Sequence, residues 1–135
     1  MKKAPILLFA LASLATAHHS FQAEYDQSKP LTLVGKVTKV VIENPHGWIY
    51  LEVKKDNGKT VSWQIETPAP GALNRNGSGR EAFNELVNTG EQVTVSAFAA
   101  RDESKHAWGS SITREDGHTT IRLGDLSQPG PGLPR

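Results

Sequence analysis

Three histidines of this chain have the spacing and surroundings of metal ligands: His18 and His19, which are adjacent, and His46, which stands between Pro45 and Gly47. If a secretory signal were cleaved before His18, its α-amine and imidazole would lie on one residue and could close a chelate ring. Imidazole and amine nitrogens suit copper, zinc and nickel, and copper(II) heads the affinity order of the divalent ions. The three histidines therefore predict a transition-metal site, with copper as the expected metal.

The competing interpretation gives these histidines no ligand: His46 caps a turn, and the N-terminal pair is polar by chance. His106 and His118 lie beside predicted turns, where histidines are usually solvated, so we do not expect them to bind metal. A metal-bound imidazole also needs a hydrogen-bond partner for its second ring nitrogen. Three carboxylates are near enough in sequence to supply it: Glu24, Asp26 and Glu43.

A second candidate surface is aromatic. Trp48 and Tyr50 alternate with aliphatic residues, so they share the outward face of a predicted strand, close to Asn44. Such a face can bind a sugar, a peptide or an apolar group. Alternatively, an N-terminal arm that carries Phe21 and Tyr25 covers these rings and so positions His18.

The first 17 residues predict a secretory signal. Lys2 and Lys3 precede an apolar run at residues 5–14 that is too short to span a bilayer, and Ala15 and Ala17 have the small-x-small spacing of a signal-peptidase site. Cleavage after Ala17 would leave about 118 residues, beginning at His18, in the periplasm or outside the cell. No later run reaches membrane length, so we expect no stable membrane insertion after cleavage.

Charge and cysteine content exclude several classes of function. The chain has 15 Lys and Arg against 14 Asp and Glu, and loss of Lys2 and Lys3 leaves 13 basic residues. The remaining balance does not predict a nucleic-acid partner. Cysteine is absent, which excludes disulfides, thiolate metal ligands and a cysteine nucleophile.

Apolar periodicity predicts one small β-domain at residues 31–123, preceded by an arm at residues 18–30. A long β-branched strand at residues 31–42 changes phase near Gly35, which predicts a bulge. A hairpin follows from Trp48 to Glu66 around the Asp56-Asn57-Gly58 turn. Residues 124–135 alternate Pro and Gly without an apolar stripe and are expected to be a disordered tail.

The second half of the domain predicts one helix and two or three more strands. Residues 67–79 are rich in Pro, Gly and Asn and are expected to form a loop. Ser78 and Glu81 fit a capping box for a short helix that Gly90 ends. A helix between the third and fourth strands predicts an OB-like barrel of five to six strands, with a β-sandwich as the alternative.

Six segments together resemble a family of small exported bacterial proteins of unknown function, DUF6152. They run through most of the chain in order: His18-His19-Ser20-Phe21, Glu24-Tyr25-Asp26, Lys29-Pro30, residues 35–40, residues 44–51 and residues 90–95. The resemblance implies export, a single small β-domain and an uncharacterised role. It supplies no catalytic residues.

The residues favour binding over catalysis. The leading prediction is an exported protein that carries or buffers copper through His18, His19 and His46. The alternative is a metal-free binding module that uses Trp48 and Tyr50 for a peptide, a glycan or a partner protein of the cell envelope. An oxidative copper enzyme ranks third, and the nucleophile patterns of hydrolases are absent.

Overall fold

A computed structural model describes residues 21–124 of the chain. The predicted signal at residues 1–17, the histidines His18 and His19, and residues 125–135 of the predicted tail lie outside this range. Among the described residues, no helix has the length and apolar character needed to cross a membrane.

The described chain is mostly β-structure, as predicted. Its elements, in chain order, are α1 (Phe21–Glu24), β1 (Tyr25–Val41), β2 (Gly47–Lys54), β3 (Thr60–Thr67), α2 (Pro70–Arg75), α3 (Arg80–Thr89), β4 (Gln92–Ala100), β5 (His106–Thr113) and β6 (Thr120–Arg122).

The strands ring round a single core without forming a regular barrel. Their order in the sheet is β3-β2-β1-β4-β5-β6, and a parallel pairing of β3 with β5 joins the two sides of the ring. All other pairings are antiparallel. The order of elements, with α3 between β3 and β4, agrees with the predicted all-β, OB-like class.

Strand β1 is long because it serves two neighbours. It pairs with β4 from Pro30 to Lys36 and with β2 from Lys36 to Val41, and its register with β2 shifts between Val37 and Lys39. A bulge of this kind lets one strand bend from one side of the ring to the other. The predicted change of phase in this strand is therefore present, a few residues after Gly35.

The core is aliphatic and is closed by helix α3. Phe83 and Leu86 of this helix are fully buried in a core cluster that has members from every strand, while its Asn and Glu side chains remain exposed. Gly90 ends the helix in the left-handed conformation, at φ 61°, and its N–H bonds to the Leu86 carbonyl at 3.1 Å. The predicted helix and its end are both confirmed.

Three local predictions were wrong. The expected loop at residues 67–79 contains α2, which Pro70 begins and the buried side chain of Leu73 anchors. Ser78 is not the N-cap of α3: Gly79 holds that position, and the Ser78 hydroxyl donates to the Arg122 carbonyl. The described part of the extended arm expected at residues 18–30 is not a separate arm: Phe21–Glu24 form α1, and residues 25–30 belong to β1.

Candidate functional site

A buried carboxylate, Glu66, lies at the centre of the candidate site. Glu66 is near the end of β3, opposite Trp48 of β2 and beside Trp108 of β5. Alternate residues of a strand point to opposite faces, so Glu66 points away from the core that Ile65 fills. Its side chain is nevertheless only 7% exposed, because other elements cover that face.

Both carboxylate oxygens of Glu66 have a hydrogen-bond partner. The hydroxyl of Tyr25 donates to Oε2, and Nδ1 of His46 pairs with Oε1. Within residues 21–124, no lysine or arginine forms an ion pair with Glu66. In the described part of the chain, the carboxylate is therefore held by a phenol and an imidazole rather than by a lysine or arginine.

Tyr25 acts as a fixed proton donor in this arrangement. Burial raises the pKa of the Tyr25 hydroxyl well above its ordinary range, and the hydrogen bond to Glu66 raises it further. The residue is only 3% exposed. Tyr25 therefore keeps its proton at physiological pH and holds the Glu66 carboxylate in place.

The hydrogen bond to Glu66 also defines the chemistry of His46. A carboxylate only accepts hydrogen bonds, so Nδ1 of His46 carries a proton, and in the neutral ring the lone pair is on Nε2. The His46 side chain is 37% exposed, whereas its partner is buried. The ring thus has one nitrogen fixed by the protein and a second nitrogen with a lone pair available for a ligand.

Backbone packing places His46 at this point. Gly47 pairs with Thr67, the residue that follows Glu66. A Cβ atom at Gly47 would lie 2.7 Å from Oγ1 of Thr67 and 2.8 Å from the Val41 carbonyl oxygen, so only glycine permits this close approach. The start of β2 is therefore pressed against the end of β3, which brings His46 next to Glu66.

An aromatic cluster covers the site: Phe21, Tyr25, Phe98 and Trp108. The Trp108 ring centroid lies 5.5 Å from that of Phe21, 5.9 Å from that of Tyr25 and 5.4 Å from that of His46. Phe21 also stacks on Tyr25 and meets the edge of Phe98. Trp108 thus links the first described residue of the chain to His46.

A cleft of about 550 Å³ adjoins Glu66. Tyr25 and Glu66 line it together with Trp48, Asp102 and His106. The rings of Trp48 and His106 are 6.1 Å apart. The cleft is thus built from the start of β1, the β2–β3 hairpin and the β4–β5 connection.

The structure brings together only some of the predicted site residues. His46 is central and Trp48 lines the cleft, but Asn44 is exposed, and Tyr50 lies under Nζ of Lys39, 5.2 Å from its ring centroid. His118 is exposed in the β5–β6 turn. Predicted ligands His18 and His19 lie outside the described residues.

Two expectations about the surroundings of the site were wrong. The N-terminal aromatics pack on Trp108 and Phe98 rather than covering Trp48 and Tyr50. The carboxylate that holds His46 is Glu66 rather than one of the three carboxylates that the sequence suggested: Glu24, Asp26 and Glu43.

Sequence reasoning missed Glu66, Tyr25 and Trp108 as site residues. A signal for Glu66 existed, since the predicted hairpin turn fixes Glu66 opposite Trp48, two residues from His46. Within the described residues, no group of three or more His, Asp and Glu side chains is arranged to hold a metal ion. A metal at His46 would need further donors.

Comparison with known proteins places the chain in a family but gives it no activity. No curated protein matches it. A family model does match, over residues 7–109, which is most of the chain and includes every residue around Glu66. On that match the chain belongs to DUF6152, a family of unknown function.

Proposed function

We propose that this protein binds one transition-metal ion, copper, through His46, His18 and His19, and that it carries or buffers the metal after export to the periplasm. The observation that carries the proposal is the hydrogen bond between Nδ1 of His46 and the buried carboxylate of Glu66. It fixes the tautomer in which Nε2 is the ligating nitrogen.

The second support is the arrangement around Glu66. Metal-binding histidines in proteins commonly donate their other ring N–H to a carboxylate, which fixes the ring and makes the ligating nitrogen more basic. The Tyr25 hydroxyl donates a hydrogen bond to Glu66 and fixes its carboxylate. Within residues 21–124, that carboxylate lacks a lysine or arginine partner. A cation bound at His46 would balance that charge.

The third support is the position of the N-terminal segment. Phe21 packs on the same Trp108 ring as His46. His18 precedes Phe21 by three residues, and a fully extended chain advances at most about 3.6 Å per residue, or about 11 Å in all. The amine and imidazole of a processed N-terminus are therefore within reach of His46 by chain length.

Carriage fits this donor set better than catalysis. The His18 amine and imidazole and the His46 imidazole, with His19 assisting, form a nitrogen site that favours copper(II) among the divalent ions. Within the described residues, the Trp108 ring lies against His46, and the polar atoms of Glu66 and Tyr25 bond to each other or to His46. They hold and shield a ligand, and they do not supply a second acid–base pair.

Copper titration of the processed protein tests this proposal. We expect one copper(II) per chain, with nitrogen hyperfine coupling in the electron paramagnetic resonance spectrum. His46→Ala, and separately one glycine added before His18, should each weaken binding at least about tenfold by removing a ligand. His118→Ala is the matched control and should bind as the parent does. Equal affinity in all four proteins would refute the proposal.

The second candidate function is metal-free binding of a ligand at the aromatic end of β2. The cleft beside Trp48 favours it, because its volume lies in the range of small-molecule sites. In that case His46 and Glu66 support the cleft wall and copper binds no better than to any surface histidine. The titration above separates the two candidates.

A further inference from the structure

The β2–β3 hairpin carries three aromatic side chains, and two of them have a lysine over the ring. Nζ of Lys39 lies 5.2 Å from the ring centroid of Tyr50, and Nζ of Lys105 lies 5.0 Å from that of Trp63. Both distances are those of cation–π contacts. Within residues 21–124, no lysine or arginine lies over the third ring, Trp48, which instead lines the cleft.

The charges of the cleft complement a cation. Three carboxylates line it, those of Glu24, Glu66 and Asp102, together with two basic groups, the Arg101 guanidinium and the His106 imidazole. The Arg101 guanidinium is bound elsewhere: Nε donates to the Gln22 carbonyl at 2.8 Å, and Nη1 lies 3.7 Å from the carboxylate of Asp26. Opposite charge across a binding surface favours association.

The remaining walls of the cleft are apolar or aromatic. Ala23, Ala100 and the ring of Trp48 contribute carbon surface between the carboxylates. Asp102 is tied by the backbone N–H of Ser104, at 3.0 Å, so its carboxylate is held at the rim. A ligand with a short carbon chain and a positive end matches this combination of an aromatic ring, small apolar residues and fixed negative charge.

We propose that this cleft binds a small organic cation, an alkyl ammonium or guanidinium compound, with the positive group against Trp48 and Asp102. The ligand takes the place over Trp48 that the chain's own lysines take over Tyr50 and Trp63. This site needs no metal at His46. Failure of the copper proposal would therefore not refute the cation site, and failure of the cation site would not refute the copper proposal.

Calorimetric and NMR titrations of the chelator-treated protein test the site with three probes of similar length: putrescine, butanediol and succinate. Putrescine should bind and shift the indole N–H resonance of Trp48, while the neutral diol and the dianion should not. Trp48→Leu and Asp102→Asn should each weaken putrescine binding about fivefold or more. Trp63→Leu is the control for the loss of an indole ring, and Asp116→Asn is the control for the loss of a carboxylate. Both should leave putrescine binding unchanged.

Several results would overturn the proposal. They are absence of putrescine binding, equal binding of butanediol, or equal weakening by Trp63→Leu and Asp116→Asn, which would indicate general attraction of a dication to the protein surface. If Trp48→Leu does not fold, as judged by circular dichroism, the comparison of Asp102→Asn with Asp116→Asn decides alone. An unshifted Trp48 indole in the parent protein would also refute it.

Discussion

Two shielded carboxylates of this protein, Glu66 and Glu91, have opposite surroundings. Glu91 lies between α3 and β4, and its side chain is 12% exposed. Oε1 accepts from Nε of Arg114 at 3.0 Å, and Oε2 accepts from the Glu115 backbone N–H at 3.2 Å. Glu66 is more deeply buried, and within residues 21–124 its side-chain hydrogen-bond partners are Tyr25 and His46.

The charged partner of Glu91 shifts pKa values on both sides of that pair. The Arg114 guanidinium holds the pKa of Glu91 below its usual range, and Glu91 in turn raises the pKa of Arg114. The pair is complete within the chain, and Glu85 adds a further contact to Arg114 at 3.1 Å. Glu91 therefore ties the α3–β4 junction to the end of β5.

Glu91 is expected to serve stability, and Glu66, under the proposed function, to serve binding. Burying a charge without a counterion lowers stability, and a protein that needed only a rigid joint at β3 would gain by supplying an arginine there. Under the proposed function, the counterion of Glu66 would be the cation that binds His46. We therefore expect a functional role for the region around Glu66. We expect a structural role for the region around Glu91 and Arg114, which we call the structural end.

The strongest test changes both carboxylates in the same way. Glu66→Gln should weaken copper(II) binding about 10- to 100-fold, because the amide no longer fixes His46 as a charged acceptor. Glu91→Gln, the matched control, should bind copper as the parent does. Calorimetry measures both affinities, and near-ultraviolet circular dichroism checks the fold. The functional distinction between the two sites fails if both variants lose affinity equally or if Glu66→Gln loses none.

A second test removes the hydroxyl that holds Glu66. Tyr25→Phe leaves Oε2 of a buried carboxylate without its donor, and it should lower the free energy of unfolding by about 1–3 kcal/mol. Tyr50→Phe is the control, since that ring is only half-buried and contacts Lys39 through its face. Urea unfolding gives both values. Equal stability of the two variants would mean that Tyr25 contributes through its ring alone.

Local sequence signals were sufficient for much of the fold. The Asp56-Asn57-Gly58 turn and the alternation on either side predicted the β2–β3 hairpin, and apolar spacing followed by Gly90 predicted α3. These signals work because turn geometry and side-chain periodicity are set by neighbouring residues. Helix α2 was missed because its anchor is the burial of Leu73, which depends on tertiary packing.

The site was harder to predict because its parts are distant in the chain. His46 was identified from its neighbours, but Tyr25 lies 41 residues before the Glu66 that it holds. Trp108 reaches the site through the parallel pairing of β3 with β5, which no local pattern encodes. The hairpin register placed Glu66 near His46, whereas its burial depends on these non-local elements.

The smallest effect is expected at Asp116, in the turn beside Arg114 at the structural end. Hydrogen bonds from the Thr119 side chain, and then from the Thr119 and His118 backbone N–H groups, lower the Asp116 pKa to about 2. A carboxylate whose pKa falls on folding adds stability above its unfolded pKa, about 3.9, and loses it as pH drops through the folded value. Stability should therefore fall between about pH 4 and pH 2, and less so in Asp116→Asn.

Asn57 provides the matched control for this pH effect. Its side-chain oxygen caps the other hairpin turn in the same way, accepting from the Lys59 N–H at 3.0 Å, but an amide does not titrate. Asn57→Ala should therefore lower stability by a similar amount at every pH, which acid titration followed by circular dichroism can measure. If Asp116→Asn unfolds along the same acid profile as the parent, the turn contributes no pH dependence, and the acid sensitivity of the structural end must be assigned to Glu91 and Arg114.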